Sequence, residues 1–128
     1  MELLSFGATE CGSKVEYGTI ICGASNPKSN DESHTFIFMR SENPKDPDDD
    51  GPYFELDTQS QGAYNIVKAL IRDGDSLSIE LDQRRDMVIA YNRIQVDLGK
   101  CTKREKEKFF ESLEKVFIDN KNIWVTNT

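Results

Sequence analysis

The chain has few of the residues that usually build catalytic or metal centres. Its 128 residues include one histidine, His34, and three cysteines, Cys11, Cys22 and Cys101. The cysteine spacings match no zinc or redox motif, and the odd number indicates free thiols. A G-x-S-x-G segment, a P-loop and a G-x-G-x-x-G segment are all absent from the sequence. We therefore predict a protein that is not an enzyme and needs no cofactor, because catalysis would require a pocket that joins His34 to a carboxylate or a thiol.

Long apolar runs are also missing. No run approaches the roughly 18–20 residues that span a bilayer. The first six residues lack the basic and apolar regions of a secretory signal. A length of 128 residues is typical of one domain that buries a single core. We therefore expect a single cytoplasmic domain over residues 1–128 with no membrane partner, present as a monomer or a homodimer.

Basic residues are scarce in the first half of the chain, so the negative charge is unevenly distributed. The whole protein has 23 acidic and 16 basic residues, a formal net charge of -7. Residues 1–57 contain 12 acids and 4 lysines or arginines, a net of -8, whereas the remainder has a net of +1. Phosphates repel such a surface, so nucleic acid is not an expected partner. A field of one sign instead attracts partners of the opposite sign.

The acidic residues concentrate in residues 46–57, which contain six carboxylates in twelve positions. One interpretation is a calcium loop, since Asp46, Asp48 and Asp50 occupy its first, third and fifth positions and Asp57 its twelfth, where Glu is usual. Pro44 and Pro47 disfavour an entering helix, and the residues after Gly51 have the pattern of a strand. A solvated acidic loop and a docking patch for a basic partner are the other two interpretations.

Strands are predicted where β-branched and aromatic residues alternate with polar ones. We place them at residues 14–22, 34–40, 53–57, 76–82 and the second half of 87–98, with an edge strand at 123–125. Residues 23–33 and 41–52 are predicted loops. Residues 63–72 are ambiguous between helix and strand, and the hairpin-like Asp73-Gly74-Asp75 that follows favours a strand.

A single helix is predicted near the C-terminal end. Thr102 and Glu105 have the spacing of a capping box. An apolar stripe of about four turns follows, formed by Phe109, Phe110, Leu113, Val116 and Phe117. The sequence therefore predicts an α+β fold: an antiparallel sheet of about six strands, with one long C-terminal amphipathic helix packed on one face.

From about Phe36 to Phe117 the order of these features resembles the bacterial immunity protein 10 family, which neutralises secreted polymorphic toxins. The resembling segments are residues 36–40, an acidic loop that leads into residues 51–59, residues 63–65, residues 77–81 and the closing helix. The resemblance implies a small α+β cytoplasmic protein that acts by binding a cognate toxin, without catalysis. It also favours the strand interpretation of residues 63–72.

Together, the charge and the resemblance suggest an acidic surface that occludes a basic region of a toxin, for which a nuclease is a natural target. Aromatic side chains near the acids would supply much of the affinity. The residues predicted to contact the partner are Asp46, Asp48, Asp49, Asp50, Tyr53, Glu55, Asp57 and Tyr64. The alternative function is a calcium-binding module that uses Asp46, Asp48, Asp50 and Asp57.

Overall fold

A computed structural model describes residues 3–27, 33–82, 89–120 and 123–127. These residues form ten strands and one α-helix, so the predicted α+β class is confirmed, although there are ten strands in two sheets instead of about six in one. The elements are β1 Leu3–Gly7, β2 Glu10–Glu16, β3 Thr19–Asn26, β4 His34–Ser41, β5 Tyr53–Leu56, β6 Gly62–Tyr64, β7 Val67–Asp73, β8 Ser76–Leu81, β9 Arg93–Asp97, α1 Lys103–Val116 and β10 Trp124–Asn127.

The two sheets differ in how the chain builds them. Sheet B has the order β2-β3-β4-β5-β6 and is an antiparallel meander of consecutive strands. Sheet A has the order β1-β9-β8-β7-β10. Its three central strands are antiparallel, whereas β1 and β10 join its two edges in parallel. Sheet A therefore combines strands from the start, the middle and the end of the chain.

One hydrophobic core contains residues of both sheets and of α1. Side chains of a strand alternate between its faces, so Phe36 and Phe38 of β4 point to the same side of sheet B. There the ring of Phe36 lies 6.2 Å from Phe109 and the ring of Phe38 lies 5.8 Å from Phe117, at the two ends of the helical stripe. All five predicted stripe residues are buried, so α1 covers the inner face of sheet B.

The local patterns that the sequence shows most clearly are confirmed. The capping box is present, with the Glu105 amide donating to Thr102 Oγ1 at 3.1 Å and the Thr102 amide donating to Glu105 Oε1 at 2.8 Å. β7 and β8 form the predicted hairpin, in which Gly74 has φ +60°. The predicted last strand is β10, at an edge of sheet A. Residues 87 and 88 of the predicted 87–98 segment lie outside the described residues.

The prediction of one strand over residues 14–22 is wrong. The chain reverses at Tyr17 and Gly18, which have φ of +51° and +75°, and β2 pairs with β3 across this two-residue turn. Positive φ at both central residues matches the right-handed twist of a hairpin. The predicted loop at 23–33 is also shorter than expected, because β3 continues to Asn26. Residues 28–32 of that loop lie outside the described residues.

Residues 63–72 adopt the strand alternative, but they are divided between the two sheets. β6 ends sheet B at Tyr64, and β7 begins in sheet A at Val67. The crossing occurs at Asn65, which has φ +57° and whose amide donates to the Pro52 carbonyl at 2.8 Å. The next residue, Ile66, is buried. The apolar pattern of this segment fits neither a single helix nor a single strand clearly, because the segment contains two short strands that belong to different sheets.

The capping box gives a test of the helix. Replacing Thr102 with Ala removes the oxygen that accepts from the Glu105 amide, so the free energy of unfolding should fall by about 1 kcal/mol. Chemical denaturation followed by circular dichroism measures this change. Thr102→Ser keeps the hydroxyl and should lose clearly less, and equal losses for the two variants would contradict the assigned role of the hydroxyl.

Candidate partner-binding site

The acidic residues lie in the connection between β4 and β5, which turns repeatedly on its own hydrogen bonds. The Asp46 amide donates to the Asn43 carbonyl at 3.0 Å, and the Asp49 amide donates to the Asp46 carbonyl at 2.9 Å. Asp46 Oδ1 also accepts from the Asp48 amide at 2.9 Å. We call residues 42–52 the acidic loop. Its backbone is held by short-range turns of the kind that Asp and Asn favour.

The far end of the acidic loop is fixed by a contact with the crossing between the sheets. Gly51 has φ +94°, a conformation that side chains with a Cβ rarely adopt. A Cβ at this position would also collide with the side-chain amide of Asn65. Asn65 Nδ2 donates to the Asp50 carbonyl at 3.1 Å. The conformation of Gly51 and the bonds of Asn65 therefore set where the loop enters β5.

One of the predicted contact residues, Asp49, turns inward. Arg40 ends the inner face of β4, and its side chain is only 3% exposed. Its Nε and Nη2 donate to the Asp49 carboxylate, the latter at 2.9 Å, and the Asp49 side chain is 7% exposed. Asp49 is therefore a structural residue, and the prediction that it belongs to the exposed acidic surface is not supported.

The same arginine also holds the end of α1. Arg40 Nη1 donates to the Val116 carbonyl at 2.9 Å and to Asp119 Oδ1 at 2.7 Å, while Nη2 donates to Asp119 Oδ2 at 2.8 Å. With the two bonds to Asp49, these contacts use all five N–H donors of the guanidinium. The bonds to Asp119 lower the pKa of that carboxyl group and raise the pKa of Arg40. We call Arg40, Asp49 and Asp119 the arginine network.

Three of the four aspartates of the acidic loop remain directed to solvent. Asp46, Asp48 and Asp50 are exposed. Among the described residues none of them forms a salt bridge, in contrast to Asp49. The loop therefore presents concentrated negative charge, although less than the sequence count of its acids indicates.

The loop borders the outer face of sheet B, which α1 does not cover. On this face Tyr53 stands between Met39 of β4 and Tyr64 of β6 in the strand register, and the two tyrosine rings lie 5.0 Å apart. The Tyr53 hydroxyl donates to Glu55 Oε1 at 2.9 Å. Burial and the neighbouring Glu55 raise the pKa of Tyr53 to about 12, so the hydroxyl keeps its proton at neutral pH. Tyr64 is 48% exposed.

These side chains and the acidic loop line a surface concavity of about 440 Å³ that is open to solvent. It brings together six of the eight predicted contact residues, namely Asp48, Asp49, Asp50, Tyr53, Glu55 and Tyr64. Gly62 makes room for the Tyr53 hydroxyl, because a Cβ there would overlap it. A half-buried tyrosine next to an exposed one, beside carboxylates, can pack against an apolar group and bind a cation.

Asp57 does not take part in this site. It follows β5, whose four residues carry it about 13 Å further along the sheet. There Asp57 Oδ2 lies 3.0 Å from His34 Nδ1, and Asp57 Oδ1 accepts from the Thr35 amide at 2.9 Å. His34 and Thr35 begin β4, whereas the acidic loop follows the end of β4. Asp57 is therefore at the opposite end of these strands from the loop.

This placement contradicts the calcium-loop alternative. A calcium loop must bring its first, third, fifth and twelfth positions around one ion, but Asp57 lies away from Asp46, Asp48 and Asp50. β5 extends the chain where a calcium loop would have to close. Across the described ranges, no three His, Cys, Asp or Glu side chains are grouped so that they could hold a metal ion.

The remaining candidates for chemistry lie elsewhere. The three cysteines are buried free thiols, and burial raises the pKa of Cys11 to about 12. The buried thiols do not form part of the concavity. In the portion of the chain that the structure describes, no helix is long and apolar enough to cross a membrane.

Sequence reasoning missed the residues that shape the site. Arg40 appeared only as the end of a strand, and its partner Asp119 is 79 residues away in sequence. Asn65 appeared only within the ambiguous segment, although it fixes the entry into β5. The signal for Arg40 was its position two residues after Phe38, on the strand face that Phe36 and Phe38 share. A charged side chain on a buried face requires a partner of opposite charge.

Comparisons of the chain with protein-family models, with curated proteins and with solved structures find no match. The resemblance to the immunity family therefore remains an expectation.

The arginine network gives a test of stability. Arg40→Met leaves the Asp49 carboxylate buried without its cation, which should lower the free energy of unfolding by about 3–5 kcal/mol. The double variant Arg40→Met/Asp49→Asn removes that uncompensated charge and should recover part of the loss. Urea denaturation of both variants measures the difference. A double variant as unstable as Arg40→Met would contradict the proposed burial of Asp49.

The lowered pKa of Asp119 gives a second test. A carboxyl group whose pKa is lower in the folded state stabilises the fold above its unfolded pKa of about 3.9, and this contribution is lost as the pH falls through the folded pKa. As the pH falls below about 4, the Asp119→Asn variant should therefore lose less free energy of unfolding than the unmodified protein does. The effect should be modest because Asp119 is 56% exposed. Denaturation across a pH series checks it, with the exposed Glu114→Gln as the control, and parallel pH profiles would contradict it.

Proposed function

We propose that this protein is an immunity protein that binds a cognate bacterial toxin domain and neutralises it by covering a basic region of that domain. The observation that carries the proposal is the position of Asp48 and Asp50, which border the Tyr53–Tyr64 pair on the sheet face that α1 does not cover. The proposed function requires binding and no catalysis. The order of sequence features that resembles the immunity family supports the same function.

Two physical contributions would act at this surface. The exposed carboxylates attract a basic partner, and complementary fields can raise association rate constants from about 10⁵–10⁶ to about 10⁸ M⁻¹s⁻¹ at low salt. Tyr53 and Tyr64 supply area with little conformational freedom to lose, and tyrosine is enriched among the residues that dominate binding energy. The acids would therefore govern the rate of encounter, and the tyrosines the lifetime of the complex.

A nuclease toxin is the target that this chemistry favours. A nuclease must hold phosphates, so its active site is lined by basic groups. An acidic surface that occupies these groups competes with the nucleic acid. The same surface repels nucleic acid itself, which keeps the immunity protein available for the toxin.

The direct test is co-expression with the product of the neighbouring reading frame. We expect the two proteins to co-purify and the neighbour's toxicity to be suppressed in cells that express this protein. A neighbour that is toxic but neither binds nor is suppressed would overturn the assignment to that toxin. In that case, a pull-down with isolated toxin domains of other reading frames from the same genome would test the function itself.

The acidic loop gives a kinetic prediction. The triple variant Asp46→Asn, Asp48→Asn and Asp50→Asn should slow association with the toxin by about tenfold at low salt and flatten its salt dependence, because the steering charge is lost. Asparagine keeps the oxygen of residue 46 that accepts from the Asp48 amide. Stopped-flow fluorescence measures the rates.

The matched control for that variant changes three exposed acids of α1. Glu107→Gln, Glu111→Gln and Glu114→Gln alter the net charge by the same amount, away from the concavity. We expect this control to change the association rate much less. Equal slowing by the two triple variants would show that net charge, and not the acidic loop, governs association.

A further inference from the structure

The concavity beside the acidic loop has a composition that selects one kind of side chain. Its base is formed by Met39 and the Tyr53–Tyr64 pair, and its sides contain Asp48, Asp50 and Glu55. Its volume of about 440 Å³ lies within the roughly 300–1,000 Å³ typical of ligand sites. The site thus combines aromatic surface with carboxylates that approach from more than one side.

Charge complementarity identifies the occupant as a cation. Arg40 is the only lysine or arginine among the described residues that line the concavity. Its five donors are already used by Asp49, Asp119 and the Val116 carbonyl. Within the described residues, Asp48, Asp50 and Glu55 have no salt-bridge partner. Among the described residues, the concavity therefore offers no cation that neutralises these three carboxylates.

The aromatic base distinguishes between cations. A guanidinium is planar, so it can stack on a tyrosine ring while its edge donates to a carboxylate. An ammonium is more strongly hydrated and acts as a point charge. The site is also prepared in advance, because the hydrogen bond to Glu55 orients Tyr53 and the bond from Asn65 to the Asp50 carbonyl holds the loop.

We propose that this concavity binds a single arginine side chain of the protein partner, stacked on the tyrosine pair and bonded to Glu55 and the loop carboxylates. This inference rests on the proposed function for its biological setting. Its chemistry can be tested without any toxin.

The test titrates the full-length, ¹⁵N-labelled protein with a short capped peptide that has one central arginine. The same peptide with citrulline, which is neutral and nearly isosteric, is the first comparison, and a lysine peptide is the second. We expect saturable shifts of the amide signals of Met39, Gly51, Tyr53 and Tyr64 with the arginine peptide. The citrulline peptide should give none, and the lysine peptide should bind more weakly.

Two variants locate the binding. Glu55→Gln keeps an oxygen that can accept from Tyr53, but it removes the charge and should weaken arginine binding about tenfold. Tyr64→Ala removes the exposed ring of the tyrosine pair and should also weaken arginine binding. Glu80→Gln, a half-buried glutamate of β8 in the other sheet, is the matched control and should leave binding unchanged.

The outcomes separate this inference from the proposed function. Absence of saturable shifts, equal shifts with citrulline, equal affinity for the lysine peptide, or unchanged binding in Glu55→Gln would each overturn the arginine site, even if the toxin is bound and neutralised. Conversely, selective arginine binding with a Glu55 dependence would support the site, even if the co-expression experiment excludes the neighbouring toxin.

Discussion

The guanidinium of Arg40 is the interaction on which the arrangement of this protein depends most. It joins the end of β4, the acidic loop and the last turn of α1 through five hydrogen bonds. A buried guanidinium is stable only when its donors are satisfied, so Asp49 and Asp119 must both stay in place. Its positive charge also lies at the negative end of the helix dipole. One side chain thus ties the helix that covers the core to the acidic loop.

This arrangement divides the carboxylates of one short segment between two tasks. Asp49 neutralises Arg40 inside, Asp57 holds the start of β4 through His34 and Thr35, and Asp46, Asp48 and Asp50 face solvent. The negative charge that the loop presents to solvent is therefore smaller than the sequence suggests. The loop carboxylates stand beside an aromatic pair because the bonds of Arg40 to Asp49 and of Asn65 to the Asp50 carbonyl fix the second half of the loop.

The sequence predicted those parts of the fold that depend on residues close together in the chain. The capping box, the apolar stripe of α1 and the Gly74 hairpin are local, and all three are present. The turn at Tyr17 was missed because a bulky residue rarely adopts positive φ. The acidic loop and its tyrosines could be singled out by composition. The inward turn of Asp49 could not, because it depends on Arg40 and Asp119, which only the folded chain brings together.

The antiparallel pairing of β4 with β5 has a consequence for how the surface can change. This pairing places Met39 beside Tyr53, so the acidic loop closes a circuit of about 15 residues. The entropy of closing a circuit grows only with the logarithm of its length, so ten inserted residues would cost only about 0.5 kcal/mol. We therefore expect the outward part of the loop to tolerate changes of length. Such insertions would alter the outward surface while the two sheets remain as they are.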